Sequence, residues 1–390
     1  MSSTILGIVI ADAIQHGKAL LKFISPNDVG TTGSHQTGYY LPKKAAYLFT
    51  SFPPEKGQNN DHPVSINWQD GRVTESMVKW YGKGTRSEYR ITRFGRDFPF
   101  LTSDCIGDLL ILVPHDENTI HGYTLDRDEE IGEFQAALGV DVLGTWALYD
   151  ASAVPVPETE EICINRHYSE FSRVLTDFPG TSQFSEQARL AIVECIPGIS
   201  EQKSDMQLTR YLESEYALFR IVERQLCQNE ITRLFKDVDD FIKTAASLMN
   251  RRKSRAGRSL ENHVEFILRK NSIPFDMRPD IDGRPDIVIP GKAQYDDSSY
   301  PVSKLFIVGI KTTCKDRWRQ VLNEAKRIPN KHILTTQAGI STNQLKEMHK
   351  SKVSLIVPKP LQKQYPEGSG IKILSLDGFI QFIHQTLPKA

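Results

Sequence analysis

LFIVGIKTTCKDRWRQVLNEA, Leu305 to Ala325, is the stretch on which the reading of this 390-residue chain turns. Leu305 to Ile310 is almost wholly apolar and rich in β-branched side chains, and six residues are too few for most helices, so the spacing predicts a strand buried on both faces. Lys311 ends that strand. Beyond it Trp318, Val321, Leu322, Ala325 and Ile328 recur at helical spacing, and at about 100° per residue Glu324 and Arg317 fall on the border of the apolar stripe. Upstream, Arg284-Pro285-Asp286 leads into a short strand-like run, PDIVI. A lysine at a strand end, an acid on the next helix and Asp286 on a neighbouring strand can converge on one point. Two carboxylates and an ammonium suit phosphodiester hydrolysis: the acids hold Mg²⁺ through oxygen, the metal polarises the phosphate, and the lysine stabilises charge or orients water. Taken singly, each residue has a plainer reading, because Pro-Asp turns, strand-end lysines and solvated helix acids are common.

The length suffices for two or three domains, and 39% apolar with 25% charged residues is ordinary globular composition. A formal net charge of zero argues against a generic polyanion binder. Charge is nevertheless concentrated locally. Lys79 to Arg96 holds six basic residues against one acid, and Arg251 to Arg258 holds five and no acid, which suggests two phosphate-facing surfaces or two solvated faces. Cys105, Cys163, Cys195, Cys227 and Cys314 form no CxxC pair and are odd in number, so neither a zinc site nor a disulfide framework is expected, and a reducing cytoplasm fits. The apolar start, Ile5 to Ala11, lacks a basic flank and is read as a first strand; no run approaches the ~20 residues needed to span a bilayer.

In the first half, Ala45 to Phe52, Val64 to Trp68, Val73 to Trp80, Tyr89 to Phe94, Leu109 to Val113, Ile120 to Leu125 and Val142 to Tyr149 read as short strands between turn residues, with one helix over Glu129 to Leu138. That pattern predicts a closed or half-closed barrel. Within Tyr89 to Phe94 both faces carry an arginine, so at least one must reach a partner or water. Arginine forks reach guanine or phosphate and Glu88 can accept from cytosine, which makes Glu88, Arg90, Arg93 and Arg96 a candidate DNA-reading strand and loop. From Asp150 to Phe184 the chain turns irregular and reads as the domain boundary. Then come helices through Leu208 to Leu226, Val238 to Met249 and, after Gly257, Leu260 to Leu268, followed by strands at Ile287 to Ile289, Leu305 to Ile310, His332 to Thr335, Val353 to Val357 and Ile371 to Leu376 among further helices. Periodicity alone gives α/β with a helical preamble.

RRKSRAGRSLE (Arg251 to Glu261) and KTTCKDRWRQVLNEA (Lys311 to Ala325) closely resemble the C-terminal domain of the EcoRII-type restriction endonucleases. NDVGTTGSHQTG (Asn27 to Gly38) and RITRFGR (Arg90 to Arg96) resemble the N-terminal domain of the same family. The resemblance implies a multidomain α+β chain: a β-rich DNA-binding pseudobarrel similar to the plant B-three-type domains over residues 1–165, a linker at 166–185, and an α/β restriction-endonuclease-like, PD-(D/E)XK core over 186–390.

It implies a type II site-specific deoxyribonuclease that uses Mg²⁺ to cut both strands of double-stranded DNA at a CC…GG-containing sequence. The family pattern makes Asp286 and Glu324 metal ligands and Lys311 the catalytic lysine. The usual second acid, two residues before the lysine, is Gly309 here, and Glu324 replaces it. Tyr295 matches a tyrosine near the site, and Glu261 a supporting acid for which Glu265 is equally placed on spacing. Lys315, Asp316 and Arg317 match the recognition triplet; Arg319 is expected on phosphate. Tyr216 matches the aromatic that holds an extruded base, but one turn earlier stands Leu212 where a charged residue is expected. In the first half the resemblance points to Asp28, His35, Gln36, Glu88, Arg90 and Arg93 as DNA contacts. It further implies a homodimer in a prokaryotic cytoplasm, stimulation by a second DNA site, inhibition by the N-terminal domain, and a methyltransferase acting on the same site without necessarily binding. A non-cleaving DNA-binding regulator and a repair or transposition nuclease of the same core are the alternatives.

Overall fold

The computed structural model describes residues 2–32, 37–152 and 159–387. The chain divides into two compact units, Met1–Ala153 with Gln337–Lys346 and Lys363–Gly370, and Val154–Thr336 with Glu347–Gln362 and Ile371–Ala390.

The first unit opens on a helix, α1 (Ser2–His16), not on the expected strand. Leu6, Val9 and Ala13 are buried along one side of it while Ile8 and Ile14 lie half exposed, so the apolar residues run round the helix and hide its period. There follow β1 (Lys18–Phe23), β2 (Tyr39–Leu41), β3 (Asn59–Trp68), β4 (Val73–Tyr81), β5 (Glu88–Thr92), β6 (Leu109–Pro114), β7 (Thr119–Leu125), α2 (Asp128–Leu138) and β8 (Trp146–Asp150). The eight strands form one sheet in the order β2-β5-β4-β3-β7-β6-β1-β8, antiparallel except for β3 beside β7. Buried residues from strands near both ends, Tyr39, Trp68, Trp80, Ile91, Leu20 and Leu112, share one core against which Trp146 and Leu148 pack, so the sheet curls round its own apolar face. Ala45 to Phe52 is not a strand; it contains a single 3₁₀ turn, Ala46–Leu48.

The second unit begins with α3 (Thr159–Arg173), α4 (Thr181–Cys195), α5 (Ser204–Thr232) and α6 (Val238–Lys270). The residues expected to be a linker, 166–185, hold the last turns of α3 and the first of α4, and Tyr168 and Phe184 are buried with Phe219 of α5. The two helices expected either side of Gly257 are one, because the cost of a mid-helix glycine, about 1 kcal/mol, is small beside the burial of Leu260, Val264, Ile267 and Leu268. Cys163 and Cys195 form a disulfide between α3 and α4, which corrects the expectation of none. An odd cysteine count tells against a full framework but not against one bridge, and 32 residues of separation give no local motif.

Then follow β9 (Asp276–Met277), β10 (Ile287–Ile289), α7 (Lys292–Asp296), β11 (Phe306–Lys311), β12 (Lys331–Thr335), α8 (Thr342–Lys350), β13 (Val353–Ile356), β14 (Ile373–Leu374) and α9 (Leu376–Thr386). The six strands lie in the order β14-β13-β12-β11-β10-β9, parallel from β11 to β14 and antiparallel from β11 to β9. Central β11 is buried on both faces up to Lys311, as its composition predicts. Among the described residues no helix is long and apolar enough to cross a membrane.

Candidate active site and DNA-facing residues

Asp286 immediately precedes β10 and Lys311 closes β11, and antiparallel pairing of Ile287 with Val308 sets the two side by side. One carboxylate oxygen, Asp286 Oδ2, accepts from Lys311 Nζ at 2.8 Å and from the Ile310 amide at 2.7 Å. Only 13% of the lysine side chain and 18% of the aspartate side chain are exposed, so the pair is held in a partly dry setting where its attraction exceeds that of a surface pair.

Glu324 joins them by a route the periodicity did not foresee. The segment after β11 is not an α-helix but a 3₁₀ stretch, Arg317–Asn323, and Glu324 follows it in extended backbone at φ −93°, ψ 143°. Burial pushes its carboxyl up to about 7; Lys311 pulls the other way and Asp286 adds to the rise. Oε2 of Glu324 is buried without a hydrogen-bond partner. A buried carboxylate with an orphaned oxygen, beside a second carboxylate, is an oxygen-donor set short of positive charge, and that suits a hard divalent cation. The residues present therefore fit the metal that the spacing predicts.

The strand position two residues before Lys311 is Gly309, where a Cβ would meet Val321 Cγ2 at an ordinary contact distance of 3.4 Å. Glu324 is fixed from outside the sheet. The Asp282 carbonyl accepts from the Ala325 amide at 2.8 Å and Asp282 Oδ2 from the Lys326 amide at 2.6 Å. Buried Lys331 donates to the carbonyls of Glu324 and Ala325. Gly283, at φ +76°, lets this turn touch the loop: a Cβ there would sit 2.5 Å from Glu324 Cα. Asp282, Gly283 and Lys331 escaped the sequence reading; the turn-forming DGRPD (Asp282 to Asp286) just before Ile287 was the one available signal.

Tyr295, on α7, donates its hydroxyl to Asp282 Oδ1 at 2.5 Å, and burial followed by that carboxylate pushes its phenol up to about 12. It bears on Glu324 through Asp282. Glu261 of α6 pairs with Arg258 at 3.1 Å and with Arg278, whose amide donates to the Asp286 carbonyl at 2.8 Å. Glu265 pairs with Arg269 on the exposed side, so of the two acids Glu261 is the one tied to the site.

Asp316 and Arg317 are exposed at the start of the 3₁₀ stretch and Lys315 is buried beside them. Arg319 pairs with Glu347 at 2.7 Å and lies over Trp318. Tyr216 lies under the buried guanidinium of Arg255, which also covers Phe219, and Leu212 is buried. The basic run Arg251 to Arg258, expected to face phosphate, is largely turned inward: Arg251 covers Phe178, Arg252 pairs with Glu223 at 2.7 Å and Arg255 is buried.

In the first unit, two of the residues expected to contact DNA are buried and hydrogen-bonded within the framework. Asp28 is fully buried, accepting from Lys22, from Ser25 Oγ at 2.6 Å and from the Tyr40 amide at 2.7 Å. Arg90 is buried, donating to the Gly38 carbonyl at 3.1 Å, with Glu88 at 3.2 Å from its Nε. A buried guanidinium hydrogen-bonded to loop carbonyls props the loop. Arg93, in left-handed backbone at φ 70°, ends the strand's alternation and is exposed, as is Arg96; Arg93 lines a cavity of about 460 Å³ with Phe94, Asp97 and Thr37. His35 and Gln36 lie outside the described residues.

The family described as EcoRII C terminal matches residues 219–380, and that described as restriction endonuclease EcoRII, N-terminal, matches residues 13–141. The type II restriction enzyme EcoRII of Escherichia coli is 32% identical over 380 residues, 92% of each chain. Among solved structures, metal-depleted Ecl18kI in complex with uncleaved, modified DNA gives a TM-score of 0.44 at 17% identity, covering 57% of this chain and 84% of that one. A complex of the restriction endonuclease PspGI with substrate DNA gives 0.46 at 15%, covering 55% and 95%. A β-rich unit joined to an Asp–Lys–Glu site on a mixed sheet, with this relationship along nearly the whole chain, defines a type II site-specific deoxyribonuclease. The chain belongs to the EcoRII family of restriction endonucleases.

Proposed function

We propose that this enzyme hydrolyses both strands of double-stranded DNA at a CC…GG-containing sequence in a Mg²⁺-dependent reaction, as a homodimer stimulated by a second DNA site. The observation that carries the reading is the orphaned, buried Oε2 of Glu324 beside the Asp286–Lys311 pair. Asp286 and Glu324 hold the ion, which when bound supplies Lewis-acid polarisation of the scissile phosphate. Lys311, oriented by Asp286 Oδ2, places its ammonium against the charge that builds on the phosphate and against the attacking water. Asp282, Tyr295 and Lys331 keep Glu324 in register with that pair, and Glu261 steadies Arg278 behind Asp286.

Exposed Asp316 and Arg317 are the best placed of the expected readers, an aspartate accepting from cytosine amines and an arginine pairing with guanine. Lys315 supports them from below. Arg319 releases Glu347 on meeting phosphate, and Tyr216 remains the aromatic candidate for contact with the target. In the first unit Arg93 and Arg96 meet the effector DNA and, with Glu88, flank the loop that Arg90 and Asp28 brace. Two copies reading a near-palindrome give cleavage of both strands.

Phage DNA digested with and without Mg²⁺, its fragment ends sequenced, tests the reading. Discrete fragments sharing a CC…GG end motif are expected, with single-site DNA cut only when oligonucleotide sites are added. Sequence-specific binding with no cleavage under any condition would favour the regulator instead, and preference for branched or damaged DNA the repair nuclease. Inhibition by the N-terminal unit predicts that deleting residues 1–153 raises cleavage of single-site DNA; unchanged cleavage would sink that part.

A further inference from the structure

On the first unit, four aromatic side chains, none given a role above, converge on one carboxylate. Asp12 lies on α1, His115 just after β6, and His121 and Tyr123 on one face of β7. His115 Nε2 lies 2.8 Å from Asp12 Oδ1, His121 Nδ1 lies 3.2 Å from Asp12 Oδ2, and the Tyr123 hydroxyl donates to Oδ2 at 2.8 Å. His16, one helical turn beyond Asp12, brings Nδ1 to 3.0 Å from the Asp12 carbonyl and 3.2 Å from Oδ1. The three imidazoles stack, His16 on His115 at 3.7 Å and His115 on His121 at 3.5 Å between centroids.

The charge balance of this group is unusual. The Asp12 side chain is 10% exposed, and among the described residues no lysine or arginine reaches it. Imidazole nitrogens are common metal ligands, and here two of them face one carboxylate. Asp116, next in sequence to His115, is taken by its own turn, its Oδ1 accepting from the amides of Asn118 and Thr119. One ligand atom each from Asp12, His115 and His121 lies within 4.8 Å of the others.

We propose that Asp12, His115 and His121 form a binding site for a divalent transition-metal ion of the zinc class, distinct from the site at Asp286 and Glu324. Two imidazoles and a carboxylate select a borderline ion over Mg²⁺, and three protein ligands leave a fourth position for water. Tyr123 and His16 orient Asp12 and the imidazole stack from behind. The ion fastens α1 to the turn between β6 and β7.

Full-length protein carrying Asp286→Asn, stripped with chelator and kept in excess Mg²⁺, would be titrated with Co²⁺. The expected result is one equivalent bound, with a d–d absorption band, no sulfur-to-cobalt charge transfer, displacement by Zn²⁺, and a raised thermal midpoint. His115→Ala and His121→Ala should each weaken binding by about tenfold or more. Tyr123→Phe, which keeps every ligand, should weaken it less and covers the case where a histidine variant fails to fold. No Co²⁺ taken up, uptake that survives in folded His121→Ala, or a charge-transfer band that places the ion on a cysteine thiolate would each overturn the assignment.

Discussion

Glu324→Gln should make the metal-free protein more stable than the wild type at alkaline pH, and progressively less so as the pH falls. In the wild type, burial raises the Glu324 carboxyl from the ordinary 4.5 to about 7. A raised folded-state value means a contribution to stability that is fully present below the unfolded value and lost as the pH climbs through the folded one. At about 1.4 kcal/mol per pH unit, discounted for the solvent that still reaches this half-buried group, the ionised form costs the folded protein on the order of 2 kcal/mol, most of which develops between about pH 5.5 and 8.5. Glutamine does not titrate. Urea unfolding of both proteins in EDTA, followed at several pH values, should show their difference widening by about that amount. Added Mg²⁺ should then stabilise the wild type and leave the variant unmoved. A difference flat across this range would refute the reasoning, because it would mean that Glu324 is solvated and carries no unmet charge. The same proton couples to the ion: below pH 7 binding must displace it, so apparent Mg²⁺ affinity should rise with pH and level off above about 7.

Lys311→Ala should abolish cleavage while specific DNA binding, read by gel shift in Ca²⁺, stays within a few fold; joint loss would indicate a folding defect. Gly283→Ala combines a left-handed backbone with a Cβ 2.5 Å from Glu324 Cα, so it should cost roughly 1–3 kcal/mol in unfolding experiments and about a hundredfold in single-turnover cleavage. Arg93→Ala and Arg96→Ala should each lower the salt slope of effector-DNA binding by the full-length protein by about one, whereas Arg90→Ala should instead lower its thermal midpoint.

The strand ending in Lys311 and the short strand behind Asp286 were legible because a run of β-branched residues between turn formers has few other solutions. Glu324 was legible as a residue and not as a geometry. Trp318, Val321 and Ala325 are buried as an amphipathic helix would bury them, yet the Asp282 carbonyl captures the Ala325 amide and draws the chain out of helix. Contacts that distant leave no periodic trace. Asp28 and Arg90 could be picked out by motif position, but their burial and their hydrogen bonds to the Tyr40 amide and the Gly38 carbonyl depend on contacts far apart in sequence that the motif does not reveal. α1 was missed because isoleucines on its outer side mimic the continuous apolar run of an inner strand.

The contact between Gly309 and Val321 bears on how such a site can change through evolution. A first side-chain carbon at position 309 would meet Val321 at an ordinary contact distance, so the strand backbone does not itself exclude a side chain there. A Gly309→Asp substitution in a Glu324→Gln background therefore need not wait for Val321 to shrink, and the acid's place in this site is set by the turn that holds Glu324 rather than by crowding at the strand.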